Sequence, residues 1–369
     1  MRRLLLLFGL AATACSKRAP TAAELGKQVF FDPALSQPPG QACADCHAPH
    51  VAYRDPESDH TTSRGILDNH FGPRNSPSIM YARWVPDLHQ DKTGAWIGGM
   101  FWDGRAASFE AQAGFPLQNP SEMNNPDKAT VVASLRKAAY ADGFRTLYGE
   151  DALDDVDQAF AHLSNAIAEF ERTPELAPFS SKYDRYLRKE AELTIAELRG
   201  LAVFEDPKKG NCASCHPPPM FTDFGYANLG IPKYGNSRYY EQGKTINPAG
   251  EAFIDHGLLA TVKDPAQDGK FRTPTLRNIG RTAPYGHNGY FENLLYLLDF
   301  LNTRDTGSKD PHVGAWAAPE VAANVEQRIG HLGLTDQEVN DLDEFLQTLT
   351  DQLEKGPAPV RNPRTIKQP

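Results

Sequence analysis

Long apolar runs are missing from this chain of 369 residues. The two strongest are Leu4 to Ala14 and Leu294 to Leu301, and the second carries Asp299. A helix that crosses a bilayer needs roughly 20 apolar residues, so neither run spans one. Basic charge is short as well. Against 47 Asp and Glu there are 38 Lys and Arg, a net charge of −9. That acidity argues against a nucleic-acid partner. Alternating strand patterns are scarce, while Gly and Pro number 29 each. The expectation is a mainly α protein with long irregular connections. Cysteine is scarce too. Of the five in the chain, four fall into two pairs.

Those pairs are Cys43-Ala44-Asp45-Cys46-His47 and Cys212-Ala213-Ser214-Cys215-His216. C-x-x-C-H is the signature of covalent c-type haem attachment. Positions i, i+3 and i+4 share one face of a helical turn. Two thioethers can therefore hold a haem edge while the histidine ligates iron. A zinc site would also take C-x-x-C pairs, but does not need a histidine directly after each. Two intact copies exclude coincidence. The expectation is two covalent haems on Cys43, Cys46, Cys212 and Cys215, with His47 and His216 as iron ligands.

The fifth cysteine, Cys15, ends an apparent export signal. Arg2 and Arg3 form its basic start, Leu4 to Leu10 its apolar centre, and Ala12-Thr13-Ala14 its small residues. A cysteine after small residues resembles a bacterial lipobox, where it becomes lipidated and starts the mature chain. An ordinary signal with a passenger Cys15 is the alternative. Export to the periplasm suits the haems, because c-type haem is attached outside the cytoplasm in bacteria. An acidic exported protein favours a basic partner such as a small cytochrome c.

An internal repeat divides the chain. Gly26-x3-Phe30-x-Asp32-Pro33 precedes the first haem motif, and Gly200-x3-Phe204-x-Asp206-Pro207 precedes the second. Short helices are expected around Glu24-Leu25 and Glu197-Leu198, ending before the prolines. Further helices are expected from Asp157 to Arg172 and from Thr335 to Leu353, each with an apolar stripe. Helices flanking a haem motif describe a cytochrome c module. The expected organisation is a signal over 1–14 and one cytochrome c-like domain over 15–175. A second covers 176–355, with a loose tail over 356–369.

Six further segments occur in order. They are Gly26 to Pro33, Arg74-Asn75-Ser76-Pro77, Phe101-Trp102-Asp103-Gly104-Arg105, Glu169-Phe170-Glu171-Arg172, Thr273 to Asn278, and Thr282-Ala283-Pro284-Tyr285-Gly286-His287-Asn288-Gly289. Together with the haem motifs they resemble the bacterial dihaem cytochrome c peroxidase and MauG family over residues 21 to 352. The resemblance implies that peroxide binds the N-terminal haem and that the C-terminal haem passes electrons to it. It makes Trp102 the tryptophan between the haems. It makes Gln112 and Glu122 the distal pair, with Glu122 moving the proton that peroxide cleavage requires. Asn75, Thr282 and Pro284 match positions that bind a calcium ion through hard oxygen ligands. A small cytochrome c or copper protein is the implied electron donor, and a homodimer is left open.

Two positions depart from the family pattern. Peroxidases of this family often hold a resting-state histidine after a glycine shortly before Asn-Ser-Pro; here Gly65 is followed by Ile66. His70 and His60 are nearby but out of register. The C-terminal haem normally takes Met or Tyr fourteen residues after the histidine of the last segment, and that position is Leu301. Leucine cannot ligate iron. Tyr296 and Met220 are the other residues considered for that role.

Overall fold

The computed structural model describes residues 18–57, 62–308, 310 and 312–353. The export signal with Cys15, the stray His60 and the C-terminal tail lie outside the described residues. Among the described residues the fold is mainly helical. Strand is confined to two short antiparallel pairs, His89–Gln90 (β1) with Trp96–Ile97 (β2) and Tyr226–Ala227 (β3) with Phe271–Arg272 (β4). No helix there is long and apolar enough to cross a membrane.

The helices run Ala22–Phe30 (α1), Cys43–Cys46 (α2), Phe109–Gln118 (α3), Lys128–Leu135 (α4), Ala141–Tyr148 (α5) and Val156–Glu171 (α6). They continue as Lys182–Leu187 (α7), Ile195–Glu205 (α8), Leu259–Val262 (α9), Leu294–Thr303 (α10) and Asp336–Gln347 (α11). Local chemistry sets their starts. Thr21, Thr194 and Thr335 each accept from the backbone N–H three residues on, where Glu24, Glu197 and Glu338 return a bond to the cap. The expected Asp157–Arg172 helix shifts by one residue, because Asp155 caps it through Gln158 N. The last helix stops at Gln347, six residues short of expectation, where Thr348 turns its hydroxyl onto Phe345 O.

The sequence repeat has a packing cause. Gly26 on α1 meets α6 so closely that a Cβ there would sit 1.8 Å from Ala166 O. Gly200 on α8 meets α11 the same way, 1.9 Å from Asp341 O. One turn on, Phe30 packs on Phe170 and Phe204 on Phe345, with both pairs of ring centroids 5.2 Å apart. Gly-x3-Phe is therefore the crossing point of a helix pair, used twice. Only glycine lets two backbones approach that closely.

Each helix pair anchors its own apolar core. Leu25, Leu117, Val132, Phe144 and Leu163 lie in the first, and Phe204, Phe221, Phe300, Leu342 and Phe345 in the second. A third cluster joins the halves, with Phe30, Met80, Tyr81, Phe170, Leu176 and Met220 among its members. The chain between the halves is thus packed in place. Leu176 is buried within the short helix Pro174–Leu176.

Candidate functional site

At the first motif, α2 makes a single turn. His47 N donates to Cys43 O at 2.9 Å, and the carboxylate of Asp45 accepts from Ala42 N at 2.9 Å. The turn puts both thiols and the imidazole on one side. His47 Nδ1 donates to Tyr53 O at 3.2 Å, which leaves Nε2 as the free lone pair. Burial lowers the His47 pKa to about 4, so the ring is neutral at pH 7, the form that ligates a metal. The second motif repeats the arrangement. His216 N donates to Cys212 O at 2.8 Å, Nδ1 donates to Phe221 O at 2.9 Å, and burial lowers its pKa also. The four motif cysteines are thiols rather than disulfides. Burial pushes Cys43 and Cys212 up to about 12.

A cavity of about 270 Å³ opens at the second motif. Leu229, Ile231, Leu294, Leu298, Leu301 and Leu332 form apolar walls around Cys212, Cys215 and His216. Free thiols, a neutral imidazole with one open nitrogen and an apolar chamber fit a haem. Leu301 faces this chamber, as its register requires. Met220 and Tyr296 do not line it. Met220 is buried in the cluster between the halves, and Tyr296 packs on Tyr290, Phe291 and Trp316. Among the other lining residues His287 keeps a buried Nε2 with no hydrogen-bond partner, 3.8 Å from Glu320 Oε2, while two further ligating groups are engaged elsewhere. Tyr285 donates to Ile279 O, and Met80 Sδ accepts from Asn278 Nδ2.

Trp102 also borders the chamber. Its indole Nε1 donates to Asn75 O at 2.9 Å, and its own carbonyl accepts from Arg272 N at 2.8 Å. Asn75 in turn donates its backbone N–H to His287 O and its Nδ2 to Pro284 O, at 2.8 and 2.7 Å. Two of the three expected calcium positions, Asn75 and Pro284, are therefore in contact, and Thr282 lies two residues away in chain. The set offers neutral oxygen donors of the kind calcium takes. Turning the Asn75 amide about its last bond would present Oδ1 in place of Nδ2.

Sequence reasoning missed the ion-pair network that braces this junction. Arg74 bridges Asp103 at 2.8 Å and Asp255 at 2.7 Å, with all three side chains nearly buried. Burial works to raise Asp255, but the Arg74 guanidinium outweighs it and holds the carboxyl well below its ordinary range. Asp103 and Arg74 stand in quoted motifs, but Asp255 is 181 residues from Arg74 in chain and carries no local signal.

On the N-terminal side, α3 carries Gln112, and the turn after it carries Glu122. Glu122 N donates to Asn119 O, and Met123 N to Pro116 O, folding that turn back on the helix. Burial raises the Glu122 carboxyl; Arg105 and the 3.0 Å bond from Asn119 Nδ2 oppose it without cancelling it. Ile66 is buried and donates its N–H to Glu122 O at 2.8 Å. His70 Nδ1 donates to Pro120 O at 2.8 Å, so it is tied to the same turn. A second raised carboxyl, Glu171 at the end of α6, is buried, is pushed up to about 8 and acts on Cys43. Its place in Glu-Phe-Glu-Arg was visible in sequence, but its burial was not.

A family model described as di-haem cytochrome c peroxidase matches residues 20–192. The chain is 41% identical to the methylamine utilization protein MauG of Paracoccus denitrificans, covering 89% of this chain and 88% of that protein. It is 33% identical to the cytochrome c551 peroxidase of Nitrosomonas europaea, covering 72% and 68%. The crystal structure of the diheme peroxidase BthA from Burkholderia thailandensis superposes with a TM-score of 0.78 at 34% identity, covering 90% and 86%. With its haem-binding signatures, two-core helical fold and these relatives, the chain belongs to the di-haem cytochrome c peroxidase family, and its enzymatic class is that of a haem peroxidase.

Proposed function

We propose that this enzyme reduces hydrogen peroxide to water at a haem held covalently by Cys43, Cys46 and His47. Electrons come from a small exported donor through a second haem on Cys212, Cys215 and His216. The observation that carries the reading is the half-buried Glu122, whose proton is held more tightly than an ordinary carboxyl's. A haem bound at the first motif would supply the iron that binds peroxide and passes electrons to it. Glu122 takes a proton from the near oxygen and returns it to the leaving one, a role that suits a carboxyl shifted toward neutrality. Asn119 holds Oε1 in place for that exchange. Gln112 orients the bound peroxide. Trp102 carries electrons between the two sites. A pure electron carrier has no use for the Gln112 and Glu122 pair.

In the same reading residues 15–175 and 176–355 are the two haem domains, and Asn75, Thr282 and Pro284 hold a calcium ion at their junction. The chain works in the periplasm, and a lipid on Cys15 anchors it. A second reading uses peroxide to oxidise a side chain of a partner protein. Ile66 favours it, because it stands where donor-fed peroxidases of the family keep a resting-state histidine; Leu301 departs from both types.

The test mixes fully oxidised holoprotein with peroxide and a reduced small cytochrome. The cytochrome should be oxidised at two equivalents per peroxide, and the intact mass should exceed the mature polypeptide by two haem units. Peroxide consumption without cytochrome oxidation supports the second reading. A protein that consumes no peroxide, or gains fewer than two haem units, overturns both.

A further inference from the structure

Tyr81 lines the chamber at the second motif and is 2% exposed. Three residues on, Trp84 is 37% exposed. Their rings are stacked, with centroids 6.0 Å apart and planes within 24°. Phe179 closes edge-on against both, at 5.1 and 5.3 Å. One continuous aromatic column thus runs from the chamber to solvent. Tyr81 takes the left-handed backbone at φ +62°, uncommon for a residue with a large side chain. The fold holds the ring in the column in spite of it.

The phenol is wired for proton movement. Tyr81 OH donates to Asp351 Oδ2 at 2.7 Å and accepts from Phe179 N at 2.9 Å. Asp351 is itself buried, and it also accepts from Asn278 Nδ2, Ser180 N and Ser180 Oγ. The Arg277 guanidinium lies over the Tyr81 ring at 4.7 Å. A positive charge there opposes any second positive charge on the ring. Tyr81 can then lose an electron only as its proton leaves, and Asp351 is the acceptor in reach.

We propose that Tyr81 and Trp84 form a one-electron relay that carries the oxidising power of peroxide from the second haem site to an oxidisable group docked at the surface. The relay rests on the peroxide chemistry proposed above and selects its second reading, in which the electron source is a side chain or similar reductant at Trp84. The balance is simple. Hydrogen peroxide with two protons and two electrons gives two waters. Each electron leaves Tyr81 for the haem site as the phenolic proton passes to Asp351. Trp84 refills Tyr81, which takes its proton back from Asp351, and the surface reductant refills Trp84.

The test gives the holoprotein stoichiometric peroxide with no donor present. Rapid-freeze electron paramagnetic resonance reads side-chain radicals, and peptide mass spectrometry reads oxygen added to Trp84. Wild type should show an aromatic radical and oxidised Trp84. Tyr81→Phe, which has no proton to lose, should consume peroxide while Trp84 oxidation falls to the level of untreated protein. Trp84→Phe is a surface change; it should keep the fold and leave a longer-lived tyrosyl radical. Asp351→Asn should slow radical formation. Peroxide consumption with Trp84 oxidation unchanged in Tyr81→Phe, or absent in wild type, overturns the relay alone. Failure of wild type to consume peroxide overturns the peroxidase reading together with it.

Discussion

The indole Nε1 of Trp102 donates to the backbone carbonyl of Asn75 at 2.9 Å. That bond ties a residue at the rim of the second chamber to the residue that also holds His287 O and Pro284 O. The tryptophan is fixed in position and orientation by the same segment that joins the two halves.

Replacing Trp102 by Phe should therefore have two effects. Loss of the bond should cost about 0.5–1.5 kcal/mol of stability, read by thermal melting. Peroxide added to reduced holoprotein should oxidise the second haem more slowly than in wild type, read by stopped-flow spectroscopy. An unchanged rate removes Trp102 from the electron path.

Glu122→Gln keeps shape and hydrogen-bonding capacity but cannot take up a proton. The rate of peroxide reaction should fall roughly 10²- to 10⁴-fold, the span typical of lost general acid–base assistance. Peroxide binding at equilibrium should change much less. A variant at wild-type rate assigns the proton to another group.

Leu301 faces the second chamber and cannot ligate iron. The oxidised second haem should be at least partly high-spin and should bind added cyanide or imidazole. Leu301→Met should make it low-spin with a raised potential, because thioether sulfur favours the reduced metal. A second haem that is already low-spin and insensitive to this change has another ligand.

Burial raises Glu171 from 4.5 to about 8. Below pH 4.5 both folded and unfolded chains hold its proton. Between 4.5 and 8 the unfolded chain releases it while the folded one retains it, so this residue's contribution to stability falls as pH rises and flattens above 8. Glu171→Gln should flatten the pH dependence of the urea midpoint across that window. A slope equal to wild type assigns the effect elsewhere.

Gly26 and Gly200 should be equivalent in their sensitivity. Alanine at either forces a methyl group into the facing backbone, and overpacking of this kind costs about 1–3 kcal/mol or more. Both variants should melt earlier than wild type. If only one does, the repeat is not a structural equivalence.

The sequence by itself determined the local elements and the chemistry of single turns. Each C-x-x-C-H is short enough for its geometry to follow from spacing alone, and each Thr-x-x-Glu cap satisfies its own helix start. The Gly-x3-Phe repeat was legible as a repeat, and Leu301 and Ile66 were legible as departures. Tertiary structure decided what lies far apart in chain. It paired Gly26 with Ala166 and Gly200 with Asp341, explaining the repeat as two helix crossings. It brought Asp255 to Arg74, Pro284 to Asn75 and Asp351 to Tyr81. It also set which carboxyls are dry, so that Glu122 and Glu171 are raised although their local sequences resemble solvated turns and helix ends. Spacing encodes a turn because the backbone repeats every few residues. Burial and charge pairing depend on the other half of the chain, and no local pattern carries that information.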